Sequence, residues 1–338
     1  MTSVRGHLLL LDSASLYFRA FFGVPQSMTA PDGTPVNAVR GFLDMVATLV
    51  ARRRPDRIVA CWDDDWRPAF RVAAVPSYKA HRLDDPAAGT EVTPDALAAQ
   101  VPIIADVLAA FGIARIGAAG LEADDVIGTL ATRAVAGGPG DVDVVTGDRD
   151  LFQLVDDAAG VRVLYVGRGV RNLEVVDQAR LADKYGVPTG PAYADLAVLR
   201  GDPSDGLPGV PGVGEKTGAA LLARFGSLQA LLEALDAGDR QLQTGPGRKL
   251  VAARDYLRVA PAVVQVVRDA PIPPFDDTAP ATPADPDALV ALADRWGIGS
   301  SVARLVQALT PAGPTDPAGT GTGTGTGTGG TGTQTTEE

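Results

Sequence analysis

Four short apolar runs mark the first half of the chain, and each leads directly into acidic residues. HLLLLD closes on Asp12, IVACWD on Asp63 and VDVVTGDRD on Asp148 and Asp150, while the run at 112–116 precedes GLEADDVIGTLA with Glu122, Asp124 and Asp125. An apolar run of this length, bounded by polar residues, is the pattern of a strand covered on both faces. Between the runs, apolar positions recur at helical spacing over 15–22, 36–52, 95–111 and 123–135. Beyond them come a strand at 142–146, a helix to 155 and a strand at 161–166. The resulting β-α-β rhythm predicts a mainly parallel sheet flanked by helices, because crossover connections in one sheet share a hand. Ligands of such sheets bind outside the carboxyl ends of the strands. Every acid-bearing run delivers its carboxylates to that edge.

From about 187 the period is helical throughout, with candidates at 193–200, 215–225, 227–235, 248–259, 286–296 and 301–309. A glycine-rich stretch, GDPSDGLPGVPGVGEKTG, joins the first two. The pattern dissolves between 64 and 93, a stretch too long for an ordinary connection and therefore functional or disordered. After Pro311 the chain becomes Thr-Gly repeats, which cannot bury a core. These shifts divide the chain into an α/β unit at 1–186, with a special segment at about 64–100, a helical unit at 187–310 and a disordered tail at 311–338.

Composition narrows the function. With 338 residues and 46% hydrophobic content the chain supports two domains. Its single cysteine, Cys61, lies in a predicted strand, which suits a reducing cytoplasm. Two distant histidines, His7 and His81, exclude a Cys/His zinc centre, and there is no apolar run of membrane-spanning length or secretory leader pattern. A net charge of -11 argues against a nucleic-acid partner until the acids are located, since carboxylates filled by cations no longer repel phosphate. Of 30 basic residues only four are lysine, and three of them, Lys79, Lys216 and Lys249, fall in motifs, where a compact ammonium suits a phosphate.

Asp12, Asp63, Glu122, Asp124, Asp125, Asp148 and Asp150 supply oxygen ligands for two hard cations. Two such ions about 4 Å apart clamp the attacking and leaving oxygens of an in-line displacement at phosphorus. The glycine-rich stretch is neither a P-loop, since Glu215 separates Gly214 from Lys216, nor a dinucleotide fingerprint, since Gly218 falls one residue late. What remains is a turn at 209–214 whose amides, with the following helix N-terminus, suit a phosphate. Asp202 and Asp205 precede it, within reach of the metal edge.

In combination, LLLLDSASLYFRAFF, CWD with the FR and SYKAHR that follow, GLEADDV, TGDRDLFQL and GDPSDGLPGVPGVGEKTG resemble the bacterial 5′ nuclease family. That family includes the 5′ to 3′ exonuclease domain of DNA polymerase I, phage 5′ nucleases and, more distantly, flap endonucleases. The resemblance runs from about Leu8 to Leu309 and implies a PIN-like domain followed by a helix-three-turn-helix duplex-binding module. It further implies that Asp12, Asp63, Glu122, Asp124, Asp125, Asp148, Asp150, Asp202 and Asp205 are metal-site acids, and that 64–100 is the arch or clamp over the 5′ strand. Lys79 and Arg71 would steady the scissile phosphate, Arg82 would contact the backbone, and Tyr78 offers a ring for base stacking. Gly209, Gly212, Gly214 and Lys216 match the duplex-binding turn, with a potassium ion held by its carbonyls, and Arg248 and Lys249 would touch the same duplex.

Three departures stand out: Gly206 where the family usually has asparagine, Ser13 where it usually has glycine, and the extra acids Asp64 and Asp65. With no polymerase sequence following, the chain is expected to act as a free-standing, monomeric, cytoplasmic enzyme. The expected activity is magnesium-dependent 5′ to 3′ exonuclease and flap endonuclease action on DNA in replication or repair, with manganese able to substitute. The rivals are a flap-DNA-binding protein whose metal site Gly206 and the added acids have spoiled, and a PIN-like RNA nuclease.

Overall fold

The computed structural model describes residues 6–85, 90–242 and 245–311. Residues 86–89 of the expected clamp and 312–338 of the Thr-Gly tail lie outside them. The chain opens with β1 (Leu8–Asp12), α1 (Ser13–Gly23), α2 (Asn37–Arg53) and β2 (Arg57–Cys61). The segment read as a clamp holds α3 (Ala69–Ala74), a small hairpin of β3 (Leu83–Asp85) and β4 (Thr90–Glu91), and α4 (Asp95–Ala98). Then follow α5 (Val101–Phe111), β5 (Ala114–Ile116), α6 (Ala123–Val135), β6 (Val142–Thr146), β7 (Val161–Tyr165), β8 (Glu174–Val176) and α7 (Gln178–Tyr185). The remainder is helical: α8 (Gly190–Arg200), α9 (Glu215–Phe225), α10 (Leu228–Asp236), α11 (Pro246–Ala252), α12 (Arg254–Val259), α13 (Pro261–Val264), α14 (Pro286–Trp296) and α15 (Gly299–Leu309).

The main sheet has the order β5-β2-β1-β6-β7-β8, parallel except for β8, which pairs antiparallel with β7. β1 and β6 lie at its centre, so their carboxyl ends, with that of β2, converge. Alternation along β1 divides the core in two. Leu8 and Leu10 face α6 and continue into a cluster with Leu196, Leu199 and Leu222 of the helical region. Leu9 and Leu11 face Phe42, Leu43 and Val46 of α2, where Leu289 of α14 and Leu305 of α15 also pack. The last two helices thus return to the α/β unit, and Arg304 pairs with Asp44 of α2 at 2.7 Å.

Five elements differ from the sequence expectation. The helix expected at 95–111 is two, α4 and α5, divided at Ala99 and Gln100. Pro102 brings no amide to a continuous ladder. The buried Gln100 instead accepts from the amides of Ala38 and Val39 at 2.7 and 3.3 Å, capping α2, and donates to Asn37. The helix expected at 248–259 breaks at Ala253, whose ψ is 10°. Residues 150–154 form a 3-10 turn. β8 and α7 had no counterpart in the apolar pattern, because RNLEVVDQARLADKYG is mostly polar and its strand is three residues long.

At the amino edge of the sheet, opposite the acids described below, Asp143 forms a buried ion-pair knot. It accepts from Arg53 Nε and Arg162 Nε, each at 2.6 Å, and from His7 Nε2 at 2.8 Å. His7 Nδ1 faces the Arg53 carbonyl at 3.1 Å, so both ring nitrogens have acceptors and the imidazolium form fits. Burial pulls the His7 pKa down, but the Asp143 hydrogen bond, the charges of Asp143 and Asp141 and the Arg53 carbonyl outweigh it and raise it above 6.5. A raised value stabilises the fold fully below pH 6.5, and that contribution fades as pH rises through the folded-state value. His7→Gln should therefore cost about 1–2 kcal/mol at pH 6 and clearly less at pH 9, measured by urea unfolding; an equal loss at both values would contradict a charged His7.

Candidate metal centre

Asp12 ends β1 and caps α1. Its Oδ1 accepts from the Ser15 amide at 3.1 Å and its Oδ2 from Thr146 Oγ1 of β6 at 2.6 Å. Asp63, two residues past β2, accepts from the Ala123 amide at 2.7 Å. Glu122 is the N-cap of α6, and Asp124 lies in its first turn, where carboxylates complement the helix dipole. Asp148 follows β6; its amide is held by Thr146 Oγ1 at 2.8 Å and its Oδ1 accepts from the Asp150 amide at 3.0 Å. Asp202 begins the loop after α8, its Oδ1 accepting from Ser204.

Asp12, Asp63, Glu122, Asp124, Asp148 and Asp202 line one cleft of about 910 Å³, together with Lys79 and Arg82. Burial pushes the Asp12 pKa up to about 7; repulsion from Asp63 and Asp148 adds to it, and the hydrogen bonds from Thr146 and Ser15 oppose it. Burial holds Asp124 well above the ordinary carboxylate value, with Asp12, Asp148 and Glu122 adding repulsion. Asp150 is raised likewise by burial and then by Asp148, Asp205 and Asp202. Burial also raises Asp63 and Asp205. Carboxyls that resist ionising beside one another are those that a cation relieves. The all-oxygen donor set is that of a hard divalent cation site.

Three expected roles are corrected by the packing. Arg71 does not face the cleft: it is 2% exposed, with Nη1 donating to Glu122 and Asp125, Nη2 to Asp125, each at 2.7 Å, and Nε to the Val263 carbonyl at 2.9 Å. With Nη2 also directed at the Gln265 carbonyl at 3.5 Å, all five donors are occupied and none is left for a scissile phosphate. Asp125 is the other half of that pair. Its oxygens also accept from the Glu122 and Val267 amides, which leaves no lone pair aimed at the cleft and makes it an anchor. Tyr78 is 4% exposed and donates to Glu122 at 2.7 Å, so its ring is core and unavailable for stacking on a base.

Lys79 does reach the cleft, where its ammonium meets Glu122 and the Trp66 carbonyl. Arg82 pairs with Asp205 at 2.7 Å. Sequence reasoning missed further lining residues of this cleft: Arg19, Arg149 and Arg168, Phe18 and Phe22, and the acid Glu91. Arg149 was legible in GDRD, between two aspartates already singled out; the others carry no local signal. Asp64 and Asp65 do not line the cleft: Asp64 is exposed, and Asp65 accepts from the Arg67 amide at 3.0 Å. Ser13 is fully buried in the first turn of α1.

The expected duplex-binding residues lie outside this cleft. Gly209 and Gly212 have φ of +62° and +72°, which glycine adopts freely. Gly214 caps α9, and Lys216 is exposed in its first turn. Arg248 and Lys249 are exposed on α11, and the Lys249 ammonium lies so close over Gly212 that a Cβ there would stand 2.4 Å from Nζ. His7, Asp141 and Asp143 are also near enough to share a cation. Their oxygens already serve two arginines and a histidine whose ring nitrogens are both engaged, so we read this group as the ion-pair knot above.

Residues 7–186 match a family model described as 5'-3' exonuclease, N-terminal resolvase-like domain, and residues 189–287 one described as 5'-3' exonuclease, C-terminal SAM fold. A protein of Streptomyces coelicolor called 5'-3' exonuclease is 58% identical over 305 residues, covering 89% of this chain and 100% of its own. A Mycobacterium tuberculosis protein of the same description is 52% identical over 316 residues, covering 90% of this chain and 98% of its own. Among solved structures, the bacteriophage T5 D15 flap endonuclease, in a pseudo-enzyme-product complex with DNA and metal ions, shares the fold with a TM-score of 0.59 at 17% identity. That likeness covers 90% of this chain and 99% of the phage chain.

Removing one partner from a buried charge pair leaves the other uncompensated. Arg71→Ala should therefore cost about 3–5 kcal/mol in urea unfolding with no substrate present, and clearly more than Lys79→Ala. An Arg71→Ala protein as stable as the wild type would return Arg71 to the cleft.

Proposed function

Because the chain belongs to the 5'-3' exonuclease family, we propose that it hydrolyses phosphodiester bonds of DNA near 5′ ends and at 5′ flaps, using two magnesium ions for which manganese substitutes. The observation that carries this reading is the convergence of Asp12, Asp63, Glu122, Asp124 and Asp148 on one cleft beside Lys79 and Arg82. When bound, such ions would supply Lewis-acid chemistry for an in-line displacement at phosphorus.

The residues of the chain do the rest. Asp12, Asp63, Asp124 and Asp148 hold the ions, with Glu122 completing the set from its cap position, and Asp150, Asp202 and Asp205 orient their waters. Lys79 offers its ammonium to the scissile phosphate from the cleft wall. That ammonium lies 5.1 Å from the centroid of the buried Tyr78 ring, which backs it at the cleft wall. Arg82, Arg19, Arg149 and Arg168 supply backbone contacts from the cleft lining, which position the strand without reading sequence. The exposed Phe22, 70% accessible at the cleft rim, offers the ring that Tyr78 cannot.

Gly209, Gly212, Gly214, Lys216, Arg248 and Lys249 form the duplex-facing side. The carbonyls of that turn would hold a potassium ion, and Lys249, whose ammonium lies over Gly212, would contact the phosphate beside it. We place the protein in the cytoplasm as a monomer acting in replication or repair; no helix among the described residues is long and apolar enough to cross a membrane.

The test is cleavage of a 5′-labelled flap duplex in magnesium by the wild type and by Asp148→Ala, with binding measured in calcium. The wild type should cut at the branch, and the variant should lose at least about 100-fold in rate while its affinity stays within a few fold. A chelator should stop cleavage and manganese restore it. Metal-dependent cutting of a matched RNA flap but not the DNA flap would move the assignment to RNA, and tight binding without cleavage by either protein would leave a flap-binding protein.

A further inference from the structure

The short turn that carries Lys79 and the loop that carries Asp202 and Asp205 come from residues more than 120 positions apart, yet they are stitched together. Ser77 Oγ donates to the Gly206 carbonyl at 2.7 Å, and the Lys79 amide donates to the Asp205 carbonyl at 2.9 Å. Arg82 Nη2 donates to the Ser204 carbonyl at 2.8 Å and to Asp205 Oδ1 at 2.7 Å. Lys79 itself sits at φ +47°, an uncommon place for a residue with a side chain, and such conformations persist where their surroundings over-determine them. Here the surroundings are this seam, the turn bond from the Ala80 amide to the Ser77 carbonyl at 3.1 Å, and the ammonium's pairing with Glu122.

Gly206 is the point of closest approach. Its φ is +71°, which asparagine also tolerates, but a Cβ added there would stand 2.1 Å from the Ser77 carbonyl oxygen and 3.0 Å from its carbon. The obstacle is backbone, so no rotamer relieves it. We propose that the seat of Gly206 on the Ser77 carbonyl sets the register between Lys79 and the acids of 202–205, making Gly206 and Ser77 positioning residues for the reaction. The absence of asparagine at Gly206 is then a fit to this contact and not a defect in the acid loop. Any side chain at this position must push the loop or the lysine turn aside, and a shift of roughly 1 Å in a positioned group is worth on the order of 100-fold in rate.

The inference rests on the nuclease reading for its kinetic arm but not for its binding arm. Gly206→Asn, Gly206→Ala, Ser77→Ala and Ser77→Thr would be compared with the wild type in three measurements: manganese binding to the DNA-free protein by calorimetry, kcat and KM on a 5′-flap duplex, and urea unfolding. For folded Gly206→Asn we expect manganese affinity weakened about 10-fold and kcat lowered about 30- to 100-fold with KM within about 3-fold. Gly206→Ala should fall in the same direction. Ser77→Ala, which loses one hydrogen bond and keeps the backbone seat, should lower kcat about 5-fold, and Ser77→Thr should restore it.

Folded Gly206→Asn with wild-type kcat and manganese affinity would overturn the proposal. If Gly206→Asn does not fold, Ser77→Ala with unchanged kcat and manganese affinity would do so instead. If the wild type cuts no flap, the nuclease reading fails, and unchanged manganese affinity in the variants would still overturn the seam independently.

Discussion

The structure depends on a concentration of negative charge that no unassisted fold tolerates. The central strands end in carboxylates at a common edge, and burial plus mutual repulsion holds Asp12, Asp124 and Asp150 above their ordinary values. Part of the relief comes from within the protein. Glu122 accepts from Arg71, Tyr78 and Lys79, and Asp125 is taken wholly by Arg71 and backbone amides. Asp12, Asp63, Asp124, Asp148, Asp150 and Asp202 have no basic partner among the described ion pairs, which leaves them to the cations of the proposed reading.

The same pairing joins the two parts of the chain. Arg71 reaches the Val263 carbonyl, Asp125 the Val267 amide, and the buried Gln153 bridges the Val264 carbonyl and the Val266 amide. The segment 263–267, at the carboxyl end of α13, is thereby pinned to the acid-bearing unit at three points. The segment carrying Lys79 and Arg82 is in turn held to the 202–206 loop. A surface read from the sequence as a long irregular connection is, over its described residues, an ordered bridge whose basic residues divide between anchoring and facing the cleft.

That division explains how a chain with net charge -11 can approach a polyanion. Cleft-facing Lys79, Arg82, Arg19, Arg149 and Arg168 share the cleft with acids that the proposed reading assigns to cations. The charge relevant to a phosphate is the local one, screened over roughly 8 to 10 Å at ordinary salt, and the total over the surface is a poor guide to it.

What the sequence determined by itself was everything that depends on neighbours along the chain. Short apolar runs bounded by polar residues read as strands, helical periods between them imply parallel crossovers, and an acid at the end of such a run then reaches the carboxyl edge. The family resemblance followed from those motifs, and so did the expectation of a cluster of acids, of which Asp12, Asp63, Glu122, Asp124, Asp148 and Asp202 line one cleft. Only the tertiary structure decided which charges pair. Arg71 and Asp125 are 54 residues apart, and nothing local distinguishes an arginine destined for a buried carboxylate from one destined for a phosphate. The same holds for Tyr78, for the return of α14 and α15 to α2, for the break at Gln100, and for Gly206, whose reason lies in a carbonyl 129 residues away. Burial and partner choice are properties of contacts between distant segments, and a linear pattern carries periodicity but not those distances.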